Sequence, residues 1–271
     1  MSVIIFIFIF LLGTIIGSFL NVVIFRFNTG KSITNGRSIC MNCNKNLTWY
    51  ELIPVLSFLI QSGKCRRCAS RISHQYPIVE IVTGLVFASV AFKFLPLLYL
   101  SYTHYIILVI LFVFIFSILI VISVYDLRHK IIPDKLVYTF IAISLFSVFV
   151  NYSPIGSFFT MPIISTLIAG PVIALPFILL WYFSKGRLMG LGDGKLMIGI
   201  GFLLGLSSGI FAVIISFWIG TIVSLLLMSL SKKKIGMKTE IPFAPFLILS
   251  TLITFLFNFD LFSLIKLFSF N

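Results

Sequence analysis

A chain of 271 residues that is 60% hydrophobic and 10% charged, with a mean hydropathy of +1.18, carries more apolar surface than a water-soluble fold can enclose, so its solvent is lipid. The formal net charge of +13 does not point to nucleic acid, because the cations sit in short loops between long apolar runs. Phe accounts for 31 residues, a richness that suits lipid-facing helices and carries no chemistry.

The first element is the run "MSVIIFIFIFLLGTIIGSFLNVVIF". It is too long for a signal-peptide core and has no cation ahead of it, so it predicts a retained span near 2–25 that starts outside the cytosol and ends inside at Arg26. The polar loop that follows, 26–77, holds all four cysteines, as "CMNC" (Cys40, Cys43) and "CRRC" (Cys65, Cys68), with 21 residues between the pairs. Two C-x2-C knuckles at this separation can present four thiolates to one tetrahedral zinc. A reducing cytosol disfavours the other reading of the spacing, two disulfides or redox pairs. Four sulfurs leave no open position for water, so such a metal is structural, and a fifty-residue segment has too small a core to fold unaided. Arg66 and Arg67 read as a solvated or headgroup-facing knuckle.

A ruler of about 20 apolar residues per span places further helices near 78–97, 104–125, 136–151, 159–184, 194–207, 209–230 and 242–265. Helices are the default because open strands leave backbone groups unpaired in hydrocarbon. In that arrangement 18 of the 20 Lys and Arg residues fall on one side, in the loop at 26–77, after the third span, around the start of the sixth, and in "SKKKIGMK"; Lys93 and Lys266 fall toward the other. The positive-inside bias makes the crowded side the cytosol and puts both termini outside. The expected fold is therefore an all-α polytopic membrane protein of about eight transmembrane helices. Its expected parts are a first helix at 1–25, a cytosolic zinc-binding insertion at 26–77 and a membrane core at 78–271.

Seven acids make a short list. Glu51, Glu240 and Asp260 read as solvated or capping groups. Asp126, in "VISVYDLRHKIIPD", ends a long apolar helix on the cytosolic side, and Asp193, in "GLGDGKLM", opens the sixth span at the same depth. Ionised groups beside hydrocarbon are costly and usually face the bundle interior, and two carboxyls brought together share a proton. That pair suits amide hydrolysis: one takes a proton from water while the other polarises the scissile carbonyl. Gly190, Gly192 and Gly194 permit irregular backbone or close approach by a substrate strand or a partner helix. Taken alone, Asp193 has a second reading as a helix N-cap, and Asp134, after Pro133, reads as a turn or N-cap residue before the fourth span. Lys195 either holds an aspartate ionised or snorkels to the interface. His129 lies among cations and reads as a solvent-facing side chain, and His74 and His104 have no partner at ligand spacing.

Six ordered blocks give the chain a resemblance to the bacterial type IV prepilin peptidases: "GSFLNVVIFR", the whole cysteine loop from Cys40 to Cys68, "YPIVEIVTGLVF", "DLRHKIIPD", "GLGDGKL" and "IPFAPF". The resemblance implies an intramembrane aspartyl protease of the GxGD type in the bacterial inner membrane. In it Asp126 and Asp193 are the catalytic pair, Gly190 and Gly192 the motif glycines, and Asp134 the end of the first motif without being a catalyst. It implies prepilin or pseudopilin substrates, with a short basic leader and a Gly–Phe-like junction ahead of a hydrophobic helix. It also implies methylation of the new N-terminus with S-adenosylmethionine, for which Glu80 is the candidate acid, placed to orient a substrate amine at the junction of loop and membrane. No Rossmann-type glycine fingerprint is present. Ala244 in "IPFAPF" departs from the glycine common in the family.

Overall fold

The structure is a computed structural model that describes residues 2–150, 159–230 and 241–262. The cations of "SKKKIGMK", Glu240, Lys266 and the end of the predicted eighth span lie outside the described residues. The described elements are helices: α1 Ser2–Arg26, α2 Leu56–Ile60, α3 Gln75–Lys93, α4 Leu95–Leu100, α5 Tyr102–His129, α6 Asp134–Val148, α7 Ile164–Ser184, α8 Leu191–Leu204, α9 Leu206–Leu230 and α10 Ala244–Phe257. A 3-10 turn at Trp49–Leu52 and isolated antiparallel bridges such as Ile39 to Asn46 and Lys64 to Arg71 complete the regular structure.

Five helices, α1, α3, α5, α7 and α9, are long and apolar enough to cross a membrane. The other three expected spans appear as helices of 15, 14 and 14 residues, α6, α8 and α10. At 1.5 Å per residue each rises only about 21–23 Å, short of the roughly 30 Å of a hydrocarbon core. Local chemistry marks two of their ends. Gly205, at φ 79, ψ 179, stops α8 one residue before α9 begins, and Asn258 closes α10 in the left-handed conformation. The expected second span likewise breaks at Phe94, and Pro96 sits in the first turn of α4, where its missing N–H is not needed.

The chain divides into two compact units, 1–99 and 100–271. In the first, α1 and α3 pack closely because small residues face one another. A Cβ on Gly13 would lie 2.8 Å from the Gly84 Cα, and one on Gly17 would lie 2.8 Å from the Glu80 Cα. Gly13 and Gly17 are four apart, the spacing that lets two membrane helices bring their backbones together. Asn21 adds a bond across the pair, its Nδ2 donating to the Tyr76 carbonyl at 3.2 Å.

In the second unit α8 packs against α6, α7, α9 and α10, and α10 packs against both α5 and α8. Gly201 makes the α7–α8 crossing possible: a Cβ there would meet the Gly170 Cα at 2.6 Å and the Ala169 carbonyl oxygen at 2.7 Å. Those obstacles are backbone and cannot rotate away. Gly201→Ala is therefore expected to destabilise the protein by about 1–3 kcal/mol, the usual cost of overpacking, read as a lower melting temperature in detergent. Gly209→Ala is the milder control, because the atom in its way is the mobile Ile173 Cδ1.

Candidate active site and cysteine cluster

Asp126 lies in the last turn of α5 and is 5% exposed. The backbone amide of Ala244 faces its carboxyl. Ala244 is the first residue of α10 and is fully buried, and the first N–H groups of a helix have no acceptor within it. From the sequence, Ala244 reads only as a change in the family pattern; the available signal is that "IPFAPF" opens a helix and so must aim free donors somewhere.

Asp193 is the third residue of α8, and the N-cap position is held by Gly190. The capping alternative for Asp193 therefore does not describe it. Its Oδ1 is buried and has no hydrogen-bond partner among the described residues, and it lies close enough to Asp126 to feel that group's charge. Neither neighbouring glycine of the motif has unusual backbone, and of the two only Gly192 acts by closeness. Gly190 is extended at φ −74, ψ 146, and a Cβ on Gly192 would come within 2.9 Å of the Ile132 Cβ. A side chain at 192 would thus push the start of α8 away from the 130–133 turn.

Asp134 is the first residue of α6, after Pro133 at its N-cap. Its Oδ1 accepts a 2.7 Å bond from the Lys195 Nζ, which also stands 5.1 Å from the centroid of the Tyr138 ring. Lys195 therefore braces α6 to α8 through Asp134. His129 lies against the Tyr125 ring, 4.4 Å between centroids.

In the first unit, Cys40, Cys43, Cys65 and Cys68 converge with all four sulfurs within 4.8 Å of one another, and all are free thiols. The Cys40 and Cys68 sulfurs are 3.8 Å apart. Tetrahedral zinc at about 2.3 Å from each sulfur separates them by about 3.8 Å, so the cluster fits that ion. The Ser70 hydroxyl, 3.1 Å from the Cys68 sulfur, leads the contacts that pull this thiol down to about 6, which favours the thiolate that metals bind. Positive-φ residues Asn44 and Ala69 turn the two knuckles, the amide of each donating back to the carbonyl of the first cysteine, Cys40 or Cys65. Glu51 is buried, and its Oε2 accepts from the Thr48 amide at 2.8 Å and the Thr48 hydroxyl at 2.7 Å. It is the capping-box acid of the 3-10 turn, as the capping reading expects, and not a solvated acid.

Beside the cluster lies a cavity of about 930 Å³, walled by Ser18, Arg26, Tyr76 and Glu80 from α1 and α3 and by Cys40 and Ser70 from the loop. Glu80 is 6% exposed, and its Oε2 accepts a 2.7 Å bond from the Val55 amide. The Ser18 hydroxyl also faces the carboxyl. Val55 holds its N–H there from φ 60, ψ −51, the centre of a tight turn in which the Leu56 amide reaches the Pro54 carbonyl. A β-branched residue is strained in that conformation, and no pattern in the sequence announces it.

Helices built for lipid, a buried acid at the end of one of them and a four-cysteine cluster in a polar loop define a multi-pass membrane protein with enzyme-like sites. Two family models match the chain: the bacterial peptidase A24 N-terminal domain at residues 11–94 and the type IV leader peptidase family at residues 113–225. Among curated proteins, the prepilin leader peptidase/N-methyltransferase of Bacillus subtilis is 30% identical over 92% of this chain and 93% of its own. The protein of the same name from Legionella pneumophila is 31% identical over 80% of this chain and 71% of its own, and that of Aeromonas salmonicida is 29% identical over 92% and 90%. No solved structure matches. The chain belongs to the type IV prepilin leader peptidase/N-methyltransferase family, the A24 aspartic peptidases, a family of the bacterial inner membrane.

Proposed function

We propose that this protein cleaves the basic leader from type IV prepilins or pseudopilins at the cytosolic membrane face, with Asp126 and Asp193 as the catalytic pair. The observation that carries the reading is an acid buried at the end of a lipid helix with a second acid inside its electrostatic reach. The Ala244 amide supplies a donor to Asp126, and Asp193 Oδ1 has none among the described residues. That difference favours Asp126 as the base and Asp193 as the proton-bearing partner. Asp126 takes a proton from water, whose oxygen adds to the scissile carbonyl carbon while the Asp193 carboxyl hydrogen-bonds the carbonyl oxygen. Collapse of the tetrahedral adduct breaks the C–N bond, and the proton passes to the departing amine. Lys195 and Asp134 hold α8 in place beside α6, and Gly192 keeps the start of α8 close-packed against Ile132. Purified protein incubated with a prepilin in detergent should release the leader, followed by mass; an intact substrate after long incubation refutes the reading.

The topology we infer has about eight spans, with α6, α8 and α10 as its short members. The loop at 26–77 and the carboxylate ends of the helices lie in the cytosol, and both termini lie outside. The cysteine cluster holds a structural zinc that supplies folding energy to this loop.

The second activity we assign to the cavity at Glu80. Its volume suits a small-molecule cofactor, and a buried carboxylate in its wall suits a cationic sulfonium or ammonium, so the residues present fit S-adenosylmethionine. When bound, that cofactor supplies an electrophilic methyl group. Glu80 orients the substrate's new amino terminus and accepts its proton, leaving the nitrogen lone pair free to react. Val55 and Ser18 fix the carboxylate in its rotamer. Glu80→Gln keeps the volume and is expected to lower methylation by about a hundredfold or more, the usual yield of a positioned base, with leader release unchanged. The readout is the increment of about 14 Da that one CH₂ adds to the mature product.

A further inference from the structure

The cysteine loop carries an apolar surface that its own fold does not cover. Trp49 is 78% exposed, Leu59 64% and Ile60 70%, and Tyr50 and Leu56 are exposed beside them. These residues lie on two adjoining elements, the 3-10 turn and α2, which pack together, and Trp49 and Tyr50 meet edge to face at 5.8 Å between ring centroids. Arg66 joins them, its guanidinium 5.1 Å from the Tyr50 ring centroid. Around the patch the loop is strongly cationic. Arg66, Arg67, Lys64 and Lys45 are exposed, while the loop's sole acid, Glu51, is turned inward onto Thr48.

We propose that this patch docks on an anionic lipid surface. Its apolar side chains enter the boundary between headgroups and acyl chains, and Arg66 and Arg67 contact lipid phosphates. Two observations choose lipid over a protein partner. Both ends of the loop are tied to helices long and apolar enough to span a membrane, α1 ending at Arg26 and α3 beginning at Gln75, so a bilayer surface is always within reach. The patch also pairs Trp and Tyr with aliphatic side chains under a rim of arginine and lysine, the composition of segments that lie in the interface, and its charge has the sign that anionic lipid attracts. Docking would hold the neighbouring cavity at a constant height above the acyl chains, where the amino end of a membrane-anchored substrate emerges. The proposal stands on the membrane character of the chain and not on the carboxylate chemistry.

The test uses the full chain with Trp181 and Trp218 changed to Phe, leaving Trp49 as its single indole, in nanodiscs of phosphatidylcholine with or without phosphatidylglycerol. In discs containing phosphatidylglycerol, brominated acyl chains should lower Trp49 emission by about twofold or more, since bromine quenches only at near contact with inserted side chains. Arg66→Gln with Arg67→Gln should remove most of the dependence on phosphatidylglycerol. Emission that ignores brominated chains but remains open to aqueous acrylamide would overturn the proposal. Hydrogen exchange of residues 49–60 in the unmodified protein is the second measurement, and protection should appear on adding anionic lipid. Protection that appears only with a prepilin, or only as protein concentration rises, would give the patch to the substrate or to a second copy and would equally overturn it.

Discussion

Asp126→Asn and Asp193→Asn are each expected to reduce leader release by at least about a thousandfold, because each removes one half of a single proton-transfer device. Both substitutions keep the side-chain volume. In Asp126→Asn the new carboxamide would still accept from the Ala244 amide through its carbonyl oxygen, so the α5–α10 contact survives and the variants should fold. Combining them should cost little beyond either alone, since residues that act as one unit are not additive. The check is leader release by mass on purified variants whose melting temperatures match the parent. Near-normal cleavage by either single variant would remove the pair from the chemistry. Asp134, the first residue of α6, is the internal control. Asp134→Asn breaks the ion pair with Lys195 at a position 63% exposed, where such a pair contributes about 1 kcal/mol or less, and cleavage should fall only modestly.

The second large effect is expected at the cysteines. Cys65→Ala should take bound zinc from about one per chain to nearly none, because four-thiolate sites lose their closed geometry with one ligand gone. Zinc binding of this kind contributes on the order of 10 kcal/mol to the fold of a small domain, far more than the bridges and turns of the loop can replace. The 26–77 segment should then become sensitive to protease, and the Glu80 cavity, one wall of which is Cys40 and Ser70, should lose its shape. Methylation is expected to disappear, with leader release less affected, because Asp126 and Asp193 belong to the other compact unit. Metal analysis and limited proteolysis read the two parts separately. Full zinc occupancy in Cys65→Ala, or a loop that stays protease-resistant without metal, would refute the structural role.

Several features were legible in the sequence because they rest on composition and short-range spacing. The lipid environment follows from the mean hydropathy, since no packing can hide that much apolar surface. The cysteine knuckles are legible because two residues between thiols is a length set by the chain itself, and the four sulfurs do converge. The two aspartates stand out because acids are rare here and both sit at the ends of apolar runs.

Only the tertiary structure decided which groups attend those residues. It put the Ala244 amide on Asp126, the Val55 amide on Glu80, Lys195 on Asp134 and Ser70 on Cys68. In three of these pairs the partners are distant along the chain, and backbone donors carry no side-chain signature at all. It also decided where the short helices stop: Gly205 ends α8 and Asn258, in the left-handed conformation, closes α10, whereas the bounds 136–151 and 194–207 already made two of these spans short in the sequence. Sequence alone determined the solvent, the cysteine pairs and the candidate acids, since each follows from residue type and local spacing. Their mutual placement needed the packed fold, because glycines such as Gly201 and Gly192 set how closely helices approach, and that distance is a property of two surfaces together.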